Sequence, residues 1–148
     1  FKVILCDCDK NNLGFSPDHL EKICKKYNPG LVVVVNVLGH SNDFKRINSL
    51  RKKYNFKLIE DNCESLGSHQ NKRSLGSFGL ASSHSFYFGH HISTIEGGMV
   101  STNDKKFYNL SQLQNQKCFK SWIKGFRDKV IIFKKDEKFM LNRLSAHI

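Results

Sequence analysis

Residues 31–37 read Leu-Val-Val-Val-Val-Asn-Val, an almost unbroken run of β-branched side chains. Such runs are typical of strands in parallel sheets, where both faces of a strand are buried. Gly30 precedes the run and Gly39 follows it, so residues that favour turns bound the strand at each end. The run therefore predicts a parallel strand buried on both faces, and with it an α/β protein.

Helical patterns lie on both sides of this strand. Ser16 and Pro17 have the types preferred at the N-cap and first position of a helix, which residues 28–30 (Asn-Pro-Gly) would end. Asn42 or Asp43 can cap a second helix. Further strands are predicted at residues 2–6, 56–60, 80–88, 98–102 and 130–133, with helices near 61–68, 104–116 and 137–144. This alternation predicts a parallel or mixed sheet covered by helices on both faces.

Composition excludes several classes of protein. The 148 residues carry a formal net charge of +11, but the lysines are scattered and often stand beside acidic residues, so we expect no nucleic-acid partner. The five cysteines are odd in number and show no C-x-x-C spacing, which favours reduced thiols in a cytoplasmic protein and predicts no metal site. No apolar run is long enough to span a membrane.

Asp61 follows the predicted strand at residues 56–60, at the edge where ligands of open α/β sheets bind. A carboxylate fixed there can pair with a protonated pyridine nitrogen and make that ring an electron sink. Asp61 and Glu64 also have the spacing of a capping box, in which both residues would serve only to begin a helix. The residues alone leave both interpretations open.

Residues 85–98 read Ser-Phe-Tyr-Phe-Gly-His-His-Ile-Ser-Thr-Ile-Glu-Gly-Gly. His90, near the middle, could move a proton at neutral pH, or it could be an ordinary histidine of a turn that begins at Gly89. Ser85 could bind a ligand or satisfy a neighbouring backbone group. His84 and His91 receive no role: one could contact substrate while the other packs in the sheet.

Residues 31–103 resemble the DegT/DnrJ/EryC1/StrS family, the sugar aminotransferase branch of the aspartate-aminotransferase fold. The stretches that carry the resemblance are residues 31–39, 58–67, 74–79 and 85–104. The resemblance implies an α/β fold of the pyridoxal-phosphate-dependent transferases of fold type I, with a mainly parallel sheet flanked by helices. Residues 1–116 would be part of the cofactor-binding large domain, and residues 117–148 an unassigned continuation. We expect a fragment that lacks an N-terminal segment and the smaller C-terminal domain.

In that family, a lysine that bonds covalently to the cofactor occupies the position of His90. The resemblance implies that Asp61 binds the pyridine nitrogen, Glu64 lies beside the ring, Ser85 binds the cofactor phosphate, and His90 is the catalytic base. An imidazole can move a proton but cannot hold the cofactor aldehyde as a stable imine. The substitution therefore favours proton abstraction over amino transfer.

The resemblance thus implies a dehydratase that uses pyridoxal or pyridoxamine 5'-phosphate to remove the C3 hydroxyl of a GDP-linked 4-keto-6-deoxy hexose. Its setting would be the synthesis of deoxysugars for O-antigen polysaccharides, with L-glutamate as amino donor and a homodimer when full length. The alternatives are a sugar aminotransferase of the same family, an iron-sulfur dehydratase acting on CDP-linked sugars, and a non-catalytic binding module on the same scaffold. The iron-sulfur enzyme would need a cysteine cluster downstream, where only Cys118 lies.

Overall fold

The computed structural model describes residues 2–95, 97–112 and 130–134. The helices are α1 (Pro17–Tyr27) and α2 (Phe44–Tyr54), and residues 105–112 are also helical. The strands are β1 (Leu31–Val35), β2 (Lys57–Asp61), β3 (His69–Gln70), β4 (Arg73–Ser74), β5 (Ala81–Ser85), β6 (Gly98–Thr102) and β7 (Val130–Lys134). The end of the predicted helix at 104–116 and the predicted helix at 137–144 lie outside the described residues.

The larger sheet has the strand order β1-β2-β5-β6-β7. The pairs β1-β2, β2-β5 and β6-β7 are parallel, whereas β5-β6 is antiparallel. This confirms the predicted α/β fold with a mainly parallel sheet. Val35 pairs with Asp61, and Asp61 pairs with Ser83, so the carboxyl ends of β1, β2 and β5 meet at one edge.

Both predicted helix starts are confirmed. Ser16 caps α1 by accepting a hydrogen bond from the His19 N–H (3.4 Å), with Pro17 in the first turn. Asp43, the second of the two predicted candidates, caps α2 by accepting from the Arg46 N–H (3.0 Å). Local sequence therefore sets where each helix begins.

The hydrophobic core lies between the two helices and one face of the sheet. Its buried members are Leu20, Cys24, Val32, Val34, Phe44, Ile47, Leu50, Phe56, Leu58 and Leu75. The prediction that β1 is buried on both faces is wrong, since Leu31, Val33 and Val35 are 40 to 52% exposed. Within the described residues β1 is an edge strand, and α1 and α2 cover only the opposite face of the sheet.

Two further predictions are wrong. Residues 2–6 form no strand: Val3 and Leu5 are more than 80% exposed, although Cys6 packs against the core. An isolated β-bridge joins Cys8 and Phe15 just after this segment. Residues 62–68 form turns where a short helix was predicted. They lead into the antiparallel hairpin of β3 and β4, which was not predicted.

Candidate active site

An open cleft of about 470 Å³ lies at the carboxyl edge of the sheet, where α/β proteins bind ligands. Leu38 follows β1, Glu64 follows β2, and the loop after β5 contributes three further lining residues, Gly89, His90 and His91. Loops that are distant in sequence therefore meet at one place.

The structure places all four predicted site residues at this edge. Glu64 and His90 line the cleft together. Asp61 and Ser85 are the last residues of β2 and β5, and the register pairs Asp61 with Ser83. Because side chains alternate along a strand, Asp61, Ser83 and Ser85 share one face of the sheet. This face is opposite to the one packed against α1 and α2.

The carboxylate of Asp61 is held at one of its two oxygens. Oδ1 accepts hydrogen bonds from the Cys63 N–H (3.1 Å) and from the Ser83 hydroxyl (3.3 Å). Both of these hydrogen bonds fall on Oδ1, so neither of them occupies Oδ2, the oxygen that could accept from a protonated ring nitrogen. The chemistry of Asp61 therefore fits the predicted cofactor.

Glu64 does not form the alternative capping box with Asp61. Its Oε2 accepts a hydrogen bond from the Leu38 N–H (3.0 Å), across the cleft edge from its own segment. Leu38 has a left-handed backbone (φ 50°) and is 69% exposed, and Gly39 after it is also left-handed (φ 81°). The Gly39 N–H donates to the Ser65 hydroxyl (3.1 Å). These hydrogen bonds, together with those of Asn36 to Asn62 and Ser65, join the turn after β1 to the turn after β2.

The residue before Asp61, Glu60, has a buried carboxylate that binds the backbone of residues 76–79. Glu60 is fully buried, and its oxygens accept hydrogen bonds from the backbone N–H groups of Gly76, Phe78 and Gly79, each at 2.6 Å. The Asn36 side chain adds a longer contact at 3.4 Å. Sequence reasoning missed Glu60, although a charged residue at an inward position of a strand is a signal of such a role.

The loop after β5 carries His90 next to the aromatic ring of Tyr87. The His90 N–H donates to the Tyr87 carbonyl (3.0 Å), and the Tyr87 and His90 rings lie edge to face at 6.5 Å between centroids. The Ser85 hydroxyl accepts from the Tyr87 N–H (3.2 Å). Its own hydrogen remains able to donate, so Ser85 can cap this turn and bind a phosphate oxygen at the same time.

The two histidines without a predicted role lie in different places. His84 is buried in the sheet, where its Nε2 lies 3.1 Å from the Ser82 hydroxyl and 3.4 Å from the Ser101 hydroxyl. His91 is exposed and lines the cleft. The cleft thus includes His91, for which the sequence left substrate contact open, and Leu38 and Gly89, to which the sequence assigned no role.

Cys63 lies between Asp61 and Glu64 and is partly buried. Burial, followed by its contact with Asp61, raises the pKa of the Cys63 thiol to about 11. The thiol therefore stays protonated at neutral pH. Across the described residues, no group of three or more His, Cys, Asp or Glu side chains is arranged to hold a metal ion, and no helix has the length and apolarity needed to cross a bilayer.

A sequence model described as the DegT/DnrJ/EryC1/StrS aminotransferase family matches residues 1–134. A GDP-4-keto-6-deoxy-D-mannose 3-dehydratase of Yersinia pseudotuberculosis is 36% identical over 108 residues, covering 73% of this chain and 27% of the relative. A UDP-4-amino-4,6-dideoxy-N-acetyl-beta-L-altrosamine transaminase of Helicobacter pylori is 32% identical over 104 residues, covering 70% of this chain and 28% of the relative.

The structural comparison leads to the same group of proteins. A solved GDP-4-keto-6-deoxymannose-3-dehydratase with a trapped PLP-glutamate geminal diamine is 33% identical, with a TM-score of 0.65 over 71% of this chain and 27% of that chain. The present chain spans only 27 and 35% of the length of the first two curated relatives it matches.

Proposed function

This chain belongs to the DegT/DnrJ/EryC1/StrS aminotransferase family, and from that premise we propose that the full-length protein is a 3-dehydratase of a GDP-linked 4-keto-6-deoxy sugar. The observation that carries this proposal is the cleft lining. Among the described residues the lining holds two histidines, His90 and His91, and no lysine. By the sequence resemblance, His90 would be the residue at the position where the family's aminotransferases carry the lysine that bonds covalently to the cofactor.

The predicted cofactor, pyridoxal 5'-phosphate, is confirmed through the family: relatives of known structure hold hydrated PLP or a PLP-glutamate adduct. When bound, in its pyridoxamine form, it supplies an amine for the sugar ketone and a ring that accepts electrons. We assign Oδ2 of Asp61 to the ring nitrogen and the Ser85 hydroxyl to the phosphate. Glu64, which lines the cleft, would lie beside the ring.

His90 would act as the base. Its half-buried imidazole lines the cleft with Glu64, and an imidazole is matched to proton transfer near neutral pH. His90 would take up the proton released from the reacting carbon and return it to the departing C3 hydroxyl, which would leave as water. In the net reaction, one glutamate would be converted into 2-oxoglutarate and ammonia for each sugar that is deoxygenated. A lysine in this position would favour amino transfer.

A sugar aminotransferase is the second candidate. It is favoured by one observation, namely that a transaminase of Helicobacter pylori is nearly as similar to this chain as the dehydratases are. The proposed partners are the nucleotide-linked sugar and L-glutamate in either case. A homodimer and a cytoplasmic location stay predictions.

The products distinguish these functions. The full-length protein is incubated with cofactor, L-glutamate and GDP-4-keto-6-deoxy-mannose, and the sugar is analysed by NMR and mass spectrometry. We expect a 3-deoxy-4-keto sugar and one ammonia for each 2-oxoglutarate formed. An amino sugar without ammonia would establish the aminotransferase instead, and a protein that does not change the cofactor absorbance would establish the non-catalytic module. A reaction without glutamate, started from cofactor in the aldehyde form, is the control.

A further inference from the structure

We propose that Ser83 is a positioning residue, whose hydroxyl orients the Asp61 carboxylate so that its second oxygen faces the cofactor's pyridine nitrogen. This inference rests on the proposed function, because it requires a pyridine ring at Asp61. It assigns a role to a residue that neither the sequence pattern nor the cleft lining indicated.

The strand register makes this contact almost unavoidable. Asp61 and Ser83 are directly paired on the parallel strands β2 and β5, and paired side chains lie on the same face of a sheet. Ser83 is also paired with Val100 on its other side, so its strand is held between two neighbours. The hydroxyl therefore extends from a fixed backbone, whereas Asp61 is the last residue of its strand.

The hydrogen bonds select one oxygen. Ser83 (3.3 Å) and the Cys63 N–H (3.1 Å) both donate to Oδ1 of Asp61, from the neighbouring strand and from the following turn. Hydrogen bonds to a charged group are stronger than those between neutral groups, so two of them restrict rotation of the carboxylate. Oδ2 is left as the oxygen that can meet a ring N–H.

The Cys63 thiol does not add a second negative charge beside Asp61. The thiol is in contact with Asp61 and Ser83, and burial is the main cause that raises its pKa to about 11. At neutral pH the sulfur is therefore neutral and adds no negative charge beside Asp61. An ionised thiol beside it would weaken the preference for one orientation.

The test compares Ser83→Ala with Ser83→Thr in the full-length holoprotein loaded with ¹⁵N-labelled pyridoxal phosphate. The ¹⁵N chemical shift reports whether the pyridine nitrogen is protonated. We expect Ser83→Ala to move this shift towards the unprotonated value and to lower kcat about tenfold with little change in KM, as befits the loss of one hydrogen bond to a charged group. Ser83→Thr, which keeps the hydroxyl, should restore both.

Ser82→Ala is the matched control. Ser82 is the preceding residue, but its hydroxyl faces the helices and contacts His84 and Ser101. Its loss should lower stability without moving the ¹⁵N shift. The inference is overturned if Ser83→Ala keeps the wild-type shift, or if Ser82→Ala moves it equally. If Ser83→Ala fails to fold, Ser83→Cys, with a weaker donor, should give an intermediate shift, and a wild-type shift there overturns the inference.

This readout separates the two proposals. The shift is measured on bound cofactor, so it tests Ser83 whether the sugar product is deoxygenated or aminated. A wild-type protein that makes an amino sugar would overturn the proposed dehydratase and leave the role of Ser83 intact. A wild-type protein that binds no pyridoxal phosphate would overturn both.

Discussion

The two sides of the cleft are held in different ways. On the Glu64 side, side-chain hydrogen bonds fix almost every element: Glu60 binds three backbone N–H groups, Asp61 accepts two hydrogen bonds, and Glu64 reaches the turn after β1. On the other side, the hydrogen bonds of residues 86–95, to backbone and side-chain groups alike, join residues close in sequence, near the two ends of the loop and within the turn at His90. We refer to these regions as the anchored side and the His90 loop.

This difference corresponds to the two proposed roles, cofactor binding and proton transfer. The groups proposed to bind the cofactor extend from strand ends, whose positions the sheet determines, whereas the group proposed to move a proton lies on an exposed connection. Loops positioned by a rigid scaffold commonly carry catalytic groups. Mutations of the buried support on the anchored side, Glu60, should therefore act mainly on stability, and mutations of His90 mainly on turnover.

The largest effect on stability is expected from Glu60→Ala. It leaves three backbone N–H groups, the buried one of Gly76 and the partly buried ones of Phe78 and Gly79, without their acceptor and should lower the free energy of unfolding by about 4 kcal/mol. Urea denaturation followed by circular dichroism measures the change. Glu64→Ala, which removes one exposed acceptor, is the control and should cost less than about 1 kcal/mol. Equal midpoints for the two variants would contradict the proposed anchoring.

In the His90 loop, His90→Asn should remove activity without loss of stability. Losing a general base is expected to lower turnover about 10²-fold or more, while the free energy of unfolding changes by less than about 0.5 kcal/mol. Ammonia release measures turnover, and absorbance confirms that cofactor is still bound. His90→Lys should instead attach the cofactor covalently, which borohydride reduction and mass spectrometry detect. Full turnover by the Asn variant would show that His90 is not the base.

A pair of glycines tests the same contrast through the backbone. A Cβ at Gly76 would lie 2.4 Å from Asn62 Nδ2 and 2.8 Å from the Ser82 hydroxyl, at a left-handed φ of 86°. Gly76→Ala should therefore cost about 2 kcal/mol. Among the residues that the structure describes, a Cβ at Gly89 would meet only Tyr87, at 4.0 Å, so Gly89→Ala should leave stability nearly unchanged. Similar thermal midpoints for both variants would disprove the close packing around Gly76.

Local sequence patterns predicted where helices and strands form better than they predicted what packs against each element. Ser16, Pro17 and Asp43 act within one turn of chain, so their caps could be predicted from sequence. The burial of β1 could not, because it depends on what covers each face of the sheet. The β3-β4 hairpin has strands of two residues each, too short to show any periodicity.

The residues of the candidate site differ in the same way: some could be predicted from local sequence, and others depend on the folded structure. Asp61 and His90 stand in contiguous motifs that sequence comparison recognises. Ser83, in contrast, gains its importance from a strand register, and Leu38 from a left-handed backbone at the cleft. Glu60 depends on N–H groups 16 to 19 residues further along the chain, which pattern analysis does not reveal.

The smallest expected effect is a loss of folding stability at alkaline pH, caused by Cys63 on the anchored side. Burial, together with Asp61, raises the pKa of Cys63 from its ordinary value of 9.0 to about 11. A raised pKa contributes stability that is complete below pH 9 and is lost as the pH rises towards 11, since only the unfolded thiol ionises in that range. Because Cys63 is partly exposed, we expect the loss to be less than about 1 kcal/mol.

Cys63→Ser isolates this contribution, since serine does not ionise and keeps a donor beside Asp61. Urea midpoints are compared at about pH 8 and about pH 10, one on each side of the ordinary thiol pKa. The variant should lose less stability than the wild type over this interval. Some loss must remain in the variant, because burial also raises the pKa of Cys6 to about 11. Identical losses in both proteins would mean that the Cys63 thiol is no less solvated in the folded chain than in the unfolded one, and the anchored side would then be more open than its hydrogen bonds indicate.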